Sequence, residues 1–244
     1  MRVYSMAECP QGSPYWHALH RGRPTASDFD RICTPARMEF SAQAEKYAAF
    51  LAAQCVEGGH SPSWFSDMRT KPPNQWIEHG KEVEPEARRT LSYELDCPIA
   101  EVGFCAMDSG IFGCSPDGLI EGVTPDGEVR YEKVIELKCP RPDTHAMYLI
   151  RGELPIQYMP QCHGQLIVTG LSEGVFCSFS RGQRPLIVPF CRNDFTVALA
   201  KCLLRFAKLY DSVLRKLVGF GLAEVVARFH STKEESNGFD RETH

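Results

Sequence analysis

The sequence predicts an α/β fold of the α+β kind, a mixed sheet flanked by helices. Three observations carry this. Residues 41–57 and 76–96 repeat apolar side chains at helical spacing, residues 99–139 break into short alternating runs divided by turn signals, and helical and strand-like segments then alternate up to residue 218. No internal repeat or low-complexity tract divides the 244 residues, so one domain is expected over 1–230, followed by a flexible polar tail over 231–244 (STKEESNGFDRETH).

In 41–57, the residues Ala44, Tyr47, Ala48, Leu51, Ala52 and Cys55 share a face, with Ser41 as the N-cap and Gly58-Gly59 as the stop. A polar, proline-rich loop (SPSWFSDMRTKPPN) follows. The next helix, 76–96, repeats Val83, Ala87 and Leu91 every four residues. Pro85 either kinks it or lies in the first turn of a segment beginning near Glu84, because proline has no N–H to donate. Between 99 and 139, the turns at Asp108-Ser109-Gly110, Pro116-Asp117-Gly118 and Pro125-Asp126-Gly127 separate runs expected to be consecutive antiparallel strands. Residues 142–171 return to helical spacing, with Ile156, Met159, His163, Leu166 and Ile167 on one side. Two strands (GVFCSFSR and RPLIVPFC) and a long amphipathic helix over 193–218, bearing Leu199, Leu203, Phe206, Leu209, Leu214 and Leu217, complete the order.

Composition narrows the function classes. Hydrophobic residues make up 43% and charged residues 24%, ordinary globular usage. No run approaches the ~18 to 20 apolar residues of a membrane helix, and the N-terminus lacks the basic-then-apolar layout of a secretory signal. A soluble, cytoplasmic protein with no membrane partner is therefore expected. Eleven cysteines without a CxxC pair fit neither a disulfide framework nor a zinc ribbon, so they read as reduced, mostly buried packing residues. The net charge of -4 argues against holding nucleic acid by global electrostatics. The charge is uneven, however: residues 1–140 carry 14 basic and 21 acidic side chains, and residues 141–216 carry 10 and 5. The second segment is a candidate polyanion-facing half, or simply a set of solvated helix faces.

The chemistry concentrates between 113 and 140, in GCSPDGLI and IELKCP. On a strand Glu136 and Lys138 project to the same side and Leu137 to the other. Asp117, on the turn before the preceding strand, reaches that surface if the two strands pair. Two carboxylates with a backbone carbonyl between them make a hard oxygen site suited to Mg²⁺ or Mn²⁺, whose retained waters supply a nucleophile. Lys138 would position that water and offset charge developing on a phosphoryl group. Each half alone is weak: Pro-Asp-Gly is ordinarily a turn, and Glu-x-Lys a solvated ion pair. The apolar neighbours Val134, Ile135, Leu137 and Cys139 make the strand look buried, and a charged pair there calls for a partner such as a metal.

Asp117 followed by Glu136-x-Lys138 resembles the PD-(D/E)xK nuclease pattern, and SPDG…ELKCP resembles the lambda-type exonucleases known as YqaJ-type viral recombinases. WHALHRGRPTASDF is similar to that family's opening, GKEVEPEAR to its acidic helix and YMPQCHGQLIVTG to its glutamine helix, over about residues 15–170. The resemblance implies a restriction-endonuclease-like core and a Mg²⁺-dependent exonuclease, with Mn²⁺ as substitute. Such an enzyme resects linear double-stranded DNA 5′ to 3′ and leaves single strands for an annealing protein.

By position, the resemblance implies that Glu84, Asp117, Glu136 and the Leu137 carbonyl hold the metal, and that Lys138 is the catalytic lysine. Gln161 falls on the glutamine that lines the active site. Thr25, Ser27 and Ser115, with His20 and Arg21, fall in the segments that contact DNA and its 5′-phosphate. The family usually has arginine where this chain has His20, so phosphate recognition passes to Arg21 or to a protonated His20. Family likeness further implies a ring-shaped trimer and a bacterial cytoplasmic setting, in the host cell if phage-encoded.

Two alternatives are weighed beside this one. A RecB-like or Cas4-like nuclease of other polarity would need a tight cysteine cluster after the catalytic strand, and Cys191 and Cys202 are too far apart for that. A non-catalytic DNA-end-binding protein of the same fold would have no use for Asp117, Glu136 and Lys138 together. Taken singly, Glu84 is either a helix N-terminal carboxylate favoured by the dipole or one member of an i, i+4 pair with Arg88, His163 a satisfied core histidine and Trp16 a packing residue.

Overall fold

The computed structural model describes residues 1–56 and 75–227. In chain order the elements are β1 (Arg2–Ser5), α1 (Pro14–His20), a 3-10 turn over Ala26–Arg31, the short pair β2 (Cys33–Thr34) and β3 (Glu39–Phe40), and α2 (Ala44–Val56). They continue with α3 (Gln75–Glu94), β4 (Ile99–Ala100), β5 (Val102–Ala106), β6 (Gly113–Cys114), β7 (Gly118–Val123) and β8 (Val129–Lys138). After these come α4 (Pro142–Arg151), a 3-10 turn over Ile156–Tyr158, α5 (Met159–Thr169), β9 (Glu173–Ser178), β10 (Leu186–Cys191) and α6 (Asp194–Val218).

The principal sheet runs β10-β9-β8-β7-β4. Among the described strands of this sheet, β8 and β9 pair in parallel and the other neighbours antiparallel, and α4 and α5 supply the crossover that a parallel pair requires. A second sheet runs β1-β5-β6, antiparallel throughout. The runs within 99–139 are therefore not one meander as expected. β4 joins β7 in one sheet, whereas β5 pairs with the N-terminal strand β1 in the other.

Side chains of β8 alternate between two cores. Val134 faces the larger one, with Leu51 of α2, Leu166 of α5 and Leu199, Leu203 and Phe206 of α6. Ile135 and Leu137 face the other, against Val83, Ala87 and Leu91 of α3. Apart from Ala87, each of these buried side chains is worth about 1.5–3 kcal/mol relative to exposure. α6 starts in a capping box: Asn193 Oδ1 accepts from the Phe195 and Thr196 N–H groups, and Thr196 Oγ1 accepts from the Asn193 N–H.

Several expectations change in detail. The helical stretch 142–171 is two helices, because Gly152 closes α4 at φ 67° and Pro155 has no N–H with which to continue. Ile156 consequently lies half exposed. Pro85 sits inside a continuous α3 rather than at the start of a new segment. On α2, Gln54 is buried where Cys55 was expected, since its Oε1 accepts the Gly22 N–H at 2.8 Å. Ser41 lies ahead of α2, its Oγ accepting the Gln43 N–H, and Leu217 is exposed near the end of α6. The proposed stop at Gly58-Gly59, the proline-rich loop and the tail over 231–244 lie outside the described residues. Among the described residues, no helix is long and apolar enough to cross a membrane.

Candidate functional site

Asp117, Glu136 and Lys138 come together because β7 and β8 pair. The Asp117 N–H donates to the Ile135 carbonyl at 3.1 Å, and Gly118 opposes Ile135 in the ladder. The Pro116-Asp117-Gly118 turn is thereby locked against the C-terminal half of β8. The Asp117 carboxylate reaches across, Oδ2 accepting the Leu137 N–H at 2.6 Å. Glu136 points the other way from Leu137, toward α5, and is wholly buried. One of its oxygens pairs with Lys138 Nζ and the other accepts from Gln165 Nε2 at 2.5 Å. Lys138, at the strand end, keeps about a quarter of its side chain exposed (26%), and its Nζ stands 5.4 Å from the centre of the Tyr158 ring.

Helix α3 brings the third carboxylate. Arg88 Nη2 pairs with Glu84 Oε1 at 2.6 Å, one turn away, while its Nε donates to the Asp117 carbonyl at 3.1 Å and its Nη1 to Glu101 at 3.0 Å. A single guanidinium thus joins the helix, the turn and the β4–β5 region. The i, i+4 pair read from the sequence exists, and it fixes Glu84 beside Asp117.

The electrostatics are those of crowded, desolvated acids. Burial pushes the Glu136 carboxyl up to about 7, with Lys138 opposing and Asp117 adding to the rise. Burial also raises Asp117, against the pull of Lys138, the Leu137 N–H and Arg88. Glu84 is raised by burial and then by Asp117. At Lys138, burial works against the charged form, but Glu136 and Asp117 outweigh it and hold the ammonium above its ordinary range. Lys138 is therefore a positive charge and a hydrogen-bond donor at neutral pH.

The donor set, three carboxylates and the Leu137 carbonyl, fits a hard divalent cation in kind, and a cation would relieve the mutual repulsion just described. As the side chains lie, Glu84 is held by Arg88, Asp117 by the Leu137 N–H, and Glu136 by Lys138 and Gln165. Among the described residues, no three His, Cys, Asp or Glu side chains stand close enough to share one ion. Uptake would exchange some of these internal partners for the cation.

A second group of expected residues gathers around β6. Ser115 Oγ and the Gly103 carbonyl both accept from Trp16 Nε1, at 2.9 and 3.1 Å. Thr25 is buried and bridges to Gly113, and its hydroxyl stands 3.3 Å from that of the exposed Ser27. His20 is packed inside: its ring lies 3.7 Å from that of Trp16, edge-on to Phe104, and its Nδ1 is 2.8 Å from the Trp16 carbonyl. Its first role is packing, because those contacts fix the ring within the N-terminal cluster. Arg21, next in sequence, is half-buried at the end of α1, and Arg23 is buried with its guanidinium 5.2 Å from the Phe104 ring centre.

The glutamine helix brings a second glutamine to the acidic cluster. Gln161 is half-buried in the first turn of α5, while the side chain that reaches Glu136 is Gln165, one turn further on. Sequence reasoning missed Gln165, Arg88 as the link to Asp117, and Tyr158 beside Lys138. The i, i+4 spacing of Gln161 and Gln165 was the available signal, since both fall on one helix face.

Comparison with known proteins follows the same lines. The family model described as the YqaJ-like viral recombinase domain matches residues 15–172. An alkaline exonuclease from Laribacter hongkongensis is similar in structure at 24% identity, with a TM-score of 0.62 over 84% of this chain and 97% of that one. Its complex with dAMP gives a TM-score of 0.63 at 24% identity over 93% and 100% of the two chains. A phage-related exonuclease from Haemophilus somnus 129PT gives a TM-score of 0.55 at 12% identity over 82% and 98%. No curated protein matches the chain significantly. The structural likenesses establish a PD-(D/E)xK-type fold.

Proposed function

The chain belongs to the YqaJ-like viral recombinase family, and from that premise we propose that it is a divalent-metal-dependent deoxyribonuclease that degrades linear duplex DNA from its ends. The observation that carries this reading is the hydrogen bond from the Leu137 N–H to Asp117 Oδ2, which puts a second carboxylate against the strand bearing Glu136 and Lys138. Three acids and one persistent ammonium at a partly open strand end suit hydrolysis of a phosphodiester.

Glu84, Asp117, Glu136 and the Leu137 carbonyl would hold Mg²⁺, with Mn²⁺ as substitute. Such an ion, when bound, neutralises phosphate charge and acidifies a water. The chain's own residues supply the rest. Lys138 Nζ donates to the attacking water and offsets charge gathering on the phosphoryl oxygens. Arg88 keeps the Asp117 turn in place through the Asp117 carbonyl. Gln161, on the same helix face as Gln165, lines the approach to the carboxylates. Ser27, Ser115 and Arg21, set around Trp16 and Thr25, receive the terminal 5′-phosphate.

The remaining elements of the proposal are 5′ to 3′ polarity, delivery of the single strand to an annealing protein, a homo-oligomeric ring and a cytoplasmic site of action. An enclosing ring would hold DNA by topology, which makes a net charge of -4 compatible with a DNA substrate. The test incubates linear and covalently closed duplex DNA with the protein, with Mg²⁺ or with a chelator, using strands labelled at one end. Loss of the linear substrate alone, only with Mg²⁺ and from the 5′ end, is expected. Cutting of the closed circle, or none of the linear form, would refute the reading.

A further inference from the structure

The amide of Gln165 is spent on Glu136. Gln165 is 1% exposed, its Nε2 lies 2.5 Å from Glu136 Oε2, and its own Oε1 is buried without a hydrogen-bond partner among the described residues. A buried amide ordinarily satisfies both of its ends. Here the acceptor end goes without, so packing and the carboxylate together dictate how the group points. The packing is close: Leu166 is fully buried, a Cβ on Gly164 would stand 2.5 Å from the Phe29 ring, and the Thr169 hydroxyl donates to the Gln165 carbonyl at 2.7 Å. The backbone that carries Gln165 is therefore held closely against the 3-10 turn that bears Phe29.

This matters for what Glu136 can offer. Its two oxygens are divided between two partners, Lys138 on one side and Gln165 on the other. Without the amide, the carboxylate is free to turn about its last torsion and close both oxygens on the Lys138 ammonium, withdrawing them from any third partner. With the amide, one oxygen is tied to α5 and the carboxylate plane is set.

We propose that Gln165 is the positioning residue that fixes the orientation of the Glu136 carboxylate and thereby sets the cation affinity of the acidic cluster. The inference rests on the nuclease reading, in which Glu136 is a metal ligand. It assigns to the second glutamine of α5 a role distinct from that of Gln161.

The test is a Mn²⁺ titration of the DNA-free protein by calorimetry, with circular dichroism and thermal melting to verify folding. Gln165→Met removes both polar ends at similar volume, and Gln165→Asn keeps the amide but shortens its reach. Both are expected to bind Mn²⁺ about tenfold or more weakly than the wild type, the usual cost of losing a residue that orients a metal ligand. Their kcat is expected to fall at limiting cation and recover as Mn²⁺ is raised, with KM for DNA unmoved. Unchanged Mn²⁺ affinity in either folded variant overturns the proposal and leaves the nuclease reading standing. A wild type that binds no Mn²⁺ overturns both. If Gln165→Met does not fold, Gln165→Asn decides. If neither folds, the residue is structural and the proposal falls.

Discussion

Glu136 and Lys138, two residues apart on one face of β8, are ion-paired with the carboxylate wholly buried and the ammonium at the solvent edge. Removing the ammonium alone leaves Glu136 with Gln165 as its remaining partner. Lys138→Met is therefore expected to cost about 1–3 kcal/mol of stability in the cation-free protein. Glu136→Gln combined with Lys138→Met should recover most of that loss, since it removes the buried charge as well. Urea denaturation of the two variants checks the pair. A double variant less stable than Lys138→Met would mean the carboxylate is not the cause.

The arrangement around Trp16 predicts how DNA ends are told apart. Ser115 and Ser27 flank the cluster with one hydroxyl each, whereas His20 is locked between Trp16 and Phe104. Ser115→Ala and Ser27→Ala are expected to lower kcat/KM on 5′-phosphorylated duplex ends about tenfold, the worth of one charge-assisted hydrogen bond, and to leave 5′-hydroxyl ends unaffected. His20→Leu should instead lower the melting temperature. Equal wild-type rates on the two kinds of end would show that no phosphate pocket operates.

His163 gives the protein an acid limit. It is buried in α5 against Phe190 and Phe195, with Nδ1 2.7 Å from Thr196 Oγ1, and burial lowers its pKa from 6.5 to about 4. A depressed folded-state pKa means that the native protein binds fewer protons than the unfolded chain. Its contribution is present above pH 6.5 and is lost as pH falls toward about 4. Glu136 acts with the opposite sign, its contribution present below 4.5 and lost as pH rises through about 7. The difference between the wild type and His163→Gln isolates the histidine: urea midpoints should fall more steeply with acid in the wild type. Parallel curves would show that His163 does not titrate on unfolding.

Much of this was legible in the sequence because it is local. Strand alternation places Glu136 and Lys138 on one face, a turn triplet places Asp117, and i, i+4 spacing pairs Glu84 with Arg88; each needs only a few consecutive residues. What escaped depends on distant packing. Which glutamine of α5 meets Glu136 is decided by the rotation of that helix against β8. Gly164 and Phe29, far apart in the chain, set that rotation by their close approach. β1 has four residues and gains its identity only by pairing with β5, about a hundred positions away. Arg88 was readable as a partner of Glu84, but its bond to the Asp117 carbonyl exists only once α3 lies against the start of β7. The burial of His20 likewise needs Phe104, from another element.

The most direct test of the central claim follows degradation of 5′-phosphorylated linear duplex DNA in Mg²⁺ by the wild type, Asp117→Asn and Lys138→Met, each first shown to be folded. The account predicts steady loss of duplex with the wild type and a fall in kcat of about 10²–10³-fold or more in both variants, the scale on which aimed charge stabilises a transition state. Wild-type protein that leaves the duplex intact, or a folded Asp117→Asn that degrades it at the wild-type rate, would contradict the account.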